Sequence, residues 1–124
     1  MAMKGREYDL EDRLIRFAVT IIDVVETLPN TRAARHIGGQ LVRSGTSPAP
    51  NYGEAQSAES RRDFVHKMKI ILKELRESRI WLRIILAKRY LSSAQMNAVL
   101  PECEELIRIF VKSIATASAK KVPQ

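Results

Sequence analysis

The chain reads as an all-α protein, an antiparallel up-down-up-down four-helix bundle whose second helix is kinked near its prolines. Three observations predict this. Apolar residues recur at steps of three and four over long stretches, with no alternating β-branched runs between hairpin turns. Aromatic content is 6%, and Gly and Pro are few, which suits helices better than a β-sandwich. Short polar connections separate four amphipathic segments, and short connections favour antiparallel neighbours. The length fits a single domain over 1–124, with frayed ends at about 1–8 and 119–124.

The first helix is expected from near Asp9 to Leu28. Leu10, Leu14, Phe17, Ile21, Val24, Val25 and Leu28 form its apolar stripe. Ile15 and Ile22 lie outside that stripe, so this helix is greasier than a monomer needs. Pro29-Asn30-Thr31 ends it and offers a cap to the next helix. The second helix starts near Thr31 or Arg32, with Ala34, Ile37, Leu41 and Val42 as its apolar pattern. Gly38, Gly39 and Gly45 each cost about 1 kcal/mol relative to Ala in a helix interior. A close helix neighbour would account for them. Pro48 and Pro50 predict a break between Ser47 and Asn51, with the helix resuming over Asn51–Ala55.

Ser60-Arg61-Arg62-Asp63 reads as a capping box. It opens a third helix that runs to about Arg89. Phe64, Met68, Ile71, Leu72, Leu75 and Leu82 form its core face. The opposite face carries Arg62, His66, Lys69, Lys73, Arg76 and Arg83 at steps of four, three, four, three and seven. Glu74 and Glu77 lie beside this basic stripe and offer it short-range pairs such as Lys73 with Glu77. Arg79 projects toward the apolar side. A buried arginine needs a partner, and Glu54 is the candidate. Ser92-Ser93-Ala94-Gln95 is a second capping box. It opens a fourth helix to near Ser118, bent early by Pro101.

The formal net charge is +7, with a pI of about 9.9. That favours an anionic partner: nucleic acid, an acidic protein or a membrane surface. No apolar run approaches the roughly twenty residues that span a bilayer, and no signal peptide is visible, so a cytoplasmic location is expected. Cys103 is the single cysteine, which rules out an intramolecular disulfide and suits a buried structural thiol.

Chemistry-bearing patterns are sparse. His36 and His66 are the only histidines, and no zinc motif or cysteine pair accompanies them. Asp63 and His66 are spaced like half of a di-metal carboxylate site, but the further inward carboxylates are missing. Glu102, Glu104 and Glu105 suit the start of a helix. Gly38-Gly39 lacks the spacing and the lysine of a phosphate loop. No catalytic residue, metal site or cofactor is therefore expected. The basic stripe lacks exposed aromatics for base stacking, Tyr90 apart, which points away from sequence-specific single-strand reading.

Arg43-Ser44-Gly45-Thr46-Ser47, Asn51, Glu54-Ala55, Asp63-Phe64, Lys67-Met68, Leu72-Lys73-Glu74, Arg76-Glu77 and Trp81-Leu82-Arg83 together resemble the bacterial "four helix bundle protein" family. Its members are also called ribosomal RNA intervening-sequence proteins or S23 ribosomal proteins. The resemblance covers most of the chain and is most specific from Gln40 to Arg83. It implies an antiparallel bundle that assembles as a ring, commonly a pentamer. A ring would use the surplus apolar positions Ile15, Ile22, Ile70, Trp81 and Ile84 as its interface. The family brings no catalytic residues. A distant relative, the accessory protein of diversity-generating retroelements, is a basic pentameric barrel, but none of its specific residues is matched. Pro48, Pro50 and Gly53 depart from the family's common pattern.

The sequence thus leads to a non-enzymatic homo-oligomer that binds structured RNA or other nucleic acid. Arg62, Lys69, Lys73, Arg76 and Arg83 would contact phosphates, assisted by Arg61 and Lys67, with little base readout. The alternative is a protein–protein interaction scaffold with no nucleic-acid role, in which the basic face steers encounter.

Overall fold

The computed structural model describes residues 2–119, with side chains described from Leu10 onward. Among these residues every regular element is helical, and no strand occurs. The elements are α1 (Ala2–Glu26), α2 (Arg32–Thr46), α3 (Pro48–Gln56), α4 (Arg61–Ala87) and α5 (Ser93–Ala119). Of the expected frayed ends, residues 1 and 120–124 lie outside the described set, whereas 2–8 belong to α1 and 119 ends α5.

α1 begins at Ala2 rather than Asp9. The expected second helix divides at Ser47 into α2 and α3. Ser47 itself keeps a helical backbone (φ −69°, ψ −36°), and Pro48 occupies the first position of α3. A missing N–H is harmless there, because first-turn donors have no partner inside their own helix. Asn51 secures the junction: its Nδ2 donates to the Ser47 carbonyl at 3.0 Å and to Ser47 Oγ at 2.9 Å.

The Ser92 capping box forms in full, and at Ser60 the serine cap forms. Ser60 Oγ accepts from the Asp63 N–H at 3.0 Å. Ser92 Oγ accepts from the Gln95 N–H at 3.1 Å, while Gln95 Oε1 accepts from the Ser92 N–H at 3.0 Å. α4 ends differently from any signal in its sequence. The Tyr90 N–H donates to the Ile85 carbonyl and the Arg89 N–H to the Leu86 carbonyl, with Arg89 at φ 60°. This is a Schellman turn with arginine at the left-handed position where glycine is usual.

α4 packs against α5, α3 and α2, and α1 packs against α2, α3 and α5. The shared core holds Leu14, Phe17 and Ile21 of α1, Leu41 of α2, and Tyr52 of α3. α4 adds Met68, Ile71, Leu75, Leu82 and Ile85; α5 adds Met96, Val99, Leu106 and Phe110. Each such side chain contributes about 1.5–3 kcal/mol by leaving water. Tyr52 meets Phe110 edge to face, with ring centroids 6.0 Å apart.

Two details fix how closely α2 approaches its neighbours. A Cβ at Gly45 would lie 2.8 Å from two carbons of Ile21, and one at Gly38 would lie 3.2 Å from Val25. These glycines mark the close approach of α1. Gly39 has open space around it and does not. On the other side, Ser44 and Ser78 are fully buried and share a hydrogen bond of 2.8 Å between α2 and α4.

Candidate functional site

α4 presents its outer face to solvent. Arg62, His66, Lys69, Lys73, Arg76 and Arg83 are all exposed. Ser60 caps the start of the helix, and the core face opposite fixes its rotation, so the basic side chains project outward together. Ile80, 47% exposed, sits among them between Arg76 and Arg83.

The carboxylates of α4 do not neutralise this face. The expected Lys73–Glu77 pair does not form. Instead Arg43 of α2 reaches across to both acids, donating to Glu74 at 3.0 Å and also to Glu77. Glu77 further accepts from Trp81 Nε1 at 3.0 Å, and His36 meets the Trp81 ring edge to face. Positions 74 and 81 fall on the flank that meets α2, about a quarter turn or more from the middle of the stripe, and Glu77 borders the stripe on that same side. Among the described residues, Arg62, Lys69, Lys73, Arg76 and Arg83 have no carboxylate partner. Five cations therefore share an exposed helix face without internal counter-charge.

The expected buried pair of Glu54 with Arg79 is overturned. Glu54 is exposed and accepts from Lys67 Nζ at 2.7 Å. That hydrogen bond, with the Glu54 charge, raises the Lys67 ammonium above its ordinary value. Arg79 lies twelve residues further along α4, about 18 Å away at 1.5 Å per residue, beyond reach of Glu54. It sits on the α5 flank near Cys103, and its buried Nε has no hydrogen-bond partner. Cys103 is buried, its thiol donating to the Leu75 carbonyl at 3.4 Å. Burial pushes that thiol up to about 12 against the opposing charge of Arg79. It is held as a neutral thiol, the unreactive form.

The surplus apolar residues separate into two sets. Ile15 (45% exposed) and Ile22 (38% exposed) stand on the outer face of α1. Ile70, Trp81 and Ile84 are half-buried on α4, with Trp81 packed against the core. Sequence reading missed Val19, 51% exposed, which completes a stripe with Ile15 and Ile22 at steps of four and three. Its spacing, four residues after Ile15 and three before Ile22, is the signal that could have found it. It also missed the bidentate bridge from Arg13 of α1 to Glu102 of α5, at 3.0 and 2.8 Å. Nothing local relates residues 89 positions apart.

Glu54, Arg79 and His66 do not converge. His66 and Arg79 are about 20 Å apart along α4. Among the described residues no group of three His, Cys, Asp or Glu is placed to hold a metal, and no helix is long and apolar enough to cross a membrane. Tyr90 is half-buried, with Lys88 Nζ 5.8 Å from its ring, rather than offered for stacking.

Residues 6–112 match the family model of the 23S rRNA-intervening sequence protein. The chain belongs to that family. It is also similar to the crystal structure of a protein with unknown function from the S23 ribosomal protein family of Bacteroides thetaiotaomicron. The two share 31% identity and a TM-score of 0.79, over 85% of this chain and 97% of that one. No curated protein matches the chain. The match to the intervening-sequence family includes the whole of α4 and hence the entire basic stripe.

Proposed function

We propose that this intervening-sequence family protein is a non-enzymatic, cytoplasmic homo-oligomer that binds structured RNA or other nucleic acid through the outer face of α4. The observation that carries this reading is the row of exposed cations left without partners because Arg43 holds Glu74 and Glu77 on the other flank. Arg62, Lys69, Lys73, Arg76 and Arg83 contact phosphates, with Arg61 and Lys67 beside them. Cations along a straight helix follow a phosphate backbone and carry no base code. Binding is driven by shape and charge, and it needs no cofactor. The helices run up-down-up-down, the second leg bent at Ser47, and several copies assemble, a pentamer being favoured by the family resemblance.

Fluorescence anisotropy with a ribosomal RNA fragment and a random duplex DNA, each at low and high salt, tests this directly. Affinity should fall steeply with salt, by a log–log slope of about 0.9 per phosphate contact on duplex DNA. Reversing Arg62, Lys69 and Lys73 to Glu should weaken binding to every sequence alike and flatten that slope. Wild-type affinity in the triple variant would remove the stripe as the site. No binding by the wild-type oligomer to either probe would favour the protein scaffold.

A further inference from the structure

The fold leaves Arg79 without the carboxylate that a buried arginine calls for. Among the described residues its guanidinium forms no ion pair and no hydrogen bond. Its Nε is buried and has no acceptor, while the side chain as a whole is only half-buried, so the terminal nitrogens reach solvent. A buried donor left unpaired costs its desolvation. An apolar side chain of similar length would remove that cost. Stability given up in this way is characteristic of binding sites.

Arg79 stands three residues after Arg76 and four before Arg83, so the three are neighbours on α4. By helical angle it lies about 40–60° from them, on the side of the basic row that faces α5. Cys103 of α5 marks that flank, since its thiol feels the Arg79 charge. Like charges at these spacings repel one another. Glu104 of α5 acts on the same thiol, yet it pairs with none of the three arginines. Three guanidinium groups thus border the furrow between α4 and α5. Burial around Nε holds the stem of Arg79 in place, which lowers the entropy lost when its tip binds.

We infer that Arg76, Arg79 and Arg83 form a discrete site for the terminal phosphate of a nucleic-acid strand. Guanidinium forks match phosphate oxygens two at a time, which lysines do not. A phosphate monoester carries about 1.5–2 negative charges near neutral pH and three free oxygens, enough to engage three arginines. A phosphate inside a strand carries one charge and is tethered on both sides. It follows the exposed row on the ridge of α4 and does not settle into the furrow beside it. Arg62, Lys69 and Lys73 then hold the backbone, and Arg79 reads the end. The inference rests on the nucleic-acid reading proposed above and names the chemical group that this half of the face selects.

RNA of one sequence with an internal fluorophore, made with a phosphate at one end, at the other or at neither, tests this by anisotropy on the full chain. Wild type should bind a phosphorylated form about tenfold more tightly than the form with none. Arg79→Met should bind all three alike, with the wild-type affinity for unphosphorylated RNA. Glu104→Gln should widen the wild-type difference, because it removes a negative charge from the same flank. Thermal unfolding gives a second reading without RNA. In chloride buffer Arg79→Met should melt higher than wild type, since the unpaired donor and one repelling charge are gone. Millimolar inorganic phosphate should raise the wild-type midpoint by several degrees and leave that of Arg79→Met nearly unchanged. A lower midpoint for Arg79→Met in both buffers, with the same response to phosphate as wild type, would make Arg79 a packing residue and overturn the site. Equal wild-type affinity for all three RNAs would overturn the terminal-phosphate site and leave the basic row standing. Binding of none of them would overturn the nucleic-acid reading and this inference with it.

Discussion

Gly39 and Gly45 lie on the same helix, and alanine at each is expected to move stability in opposite directions. Gly39 is exposed, and a Cβ there meets nothing within 4 Å. Replacing it should recover the full cost of glycine in a helix interior, about 1 kcal/mol. Gly45 offers the same gain, but its added Cβ would stand 2.8 Å from both Cγ atoms of Ile21 and 3.2 Å from its Cβ. Carbon atoms prefer about 3.5–4.0 Å. Branching at Cβ leaves Ile21 little freedom to rotate away inside a helix. Either α1 and α2 separate by several tenths of an ångström, or Ile21 leaves its rotamer. Overpacking of this kind costs about 1–3 kcal/mol. The net effect of Gly45→Ala is then a loss of up to about 2 kcal/mol, and the two variants differ by about 1–3 kcal/mol. Urea unfolding followed by circular dichroism at one fixed protein concentration reads this as a raised midpoint for Gly39→Ala and a lowered one for Gly45→Ala. Equal stabilisation by both would refute the close approach of α1 to α2 at Gly45.

Arg89→Gly should stabilise the protein by about 1 kcal/mol, because arginine bears a left-handed backbone that glycine adopts without strain; an unchanged thermal midpoint would contradict this. Ser44→Ala and Ser78→Ala should each cost about 1 kcal/mol, while the double variant should cost less than their sum, since removing both partners strands neither. Simple additivity in that cycle would mean the shared bond contributes nothing. Cys103 should resist thiol reagents in the native protein and react only as the chain unfolds. Its folded value of about 12 exceeds the ordinary 9.0, so its stabilising contribution is complete below pH 9 and is lost as pH rises toward 12. Cys103→Ala should flatten the alkaline decline, by at most about 1.4 kcal/mol per pH unit. An identical decline in both proteins would count against the buried neutral thiol.

The role of Arg89 explains why the end of α4 was not legible: the turn is made by backbone hydrogen bonds alone, with no glycine to announce it. The starts of α4 and α5 were legible because a serine three residues before Asp63 or Gln95 satisfies a backbone donor locally, whatever else surrounds it. The basic stripe was legible for the same kind of reason, as helical spacing alone places Arg62, Lys69, Lys73, Arg76 and Arg83 on one face. Its lack of internal counter-charge was not, since that depends on Arg43, more than thirty residues away in the chain.

The sequence by itself determined the all-α class, the starts of α2, α4 and α5, the core face of α4 and the outward row of cations. All of these follow from the 3.6-residue period and from hydrogen bonds that close within one turn. Tertiary structure decided which helices meet and at what height. That set Lys67, not Arg79, against Glu54, drew Glu74 and Glu77 to Arg43, brought Ile21 onto Gly45 and bridged Arg13 to Glu102. The period fixes the direction in which a side chain leaves its helix. It does not fix the axial offset between two helices, and long charged side chains choose their partners by that offset.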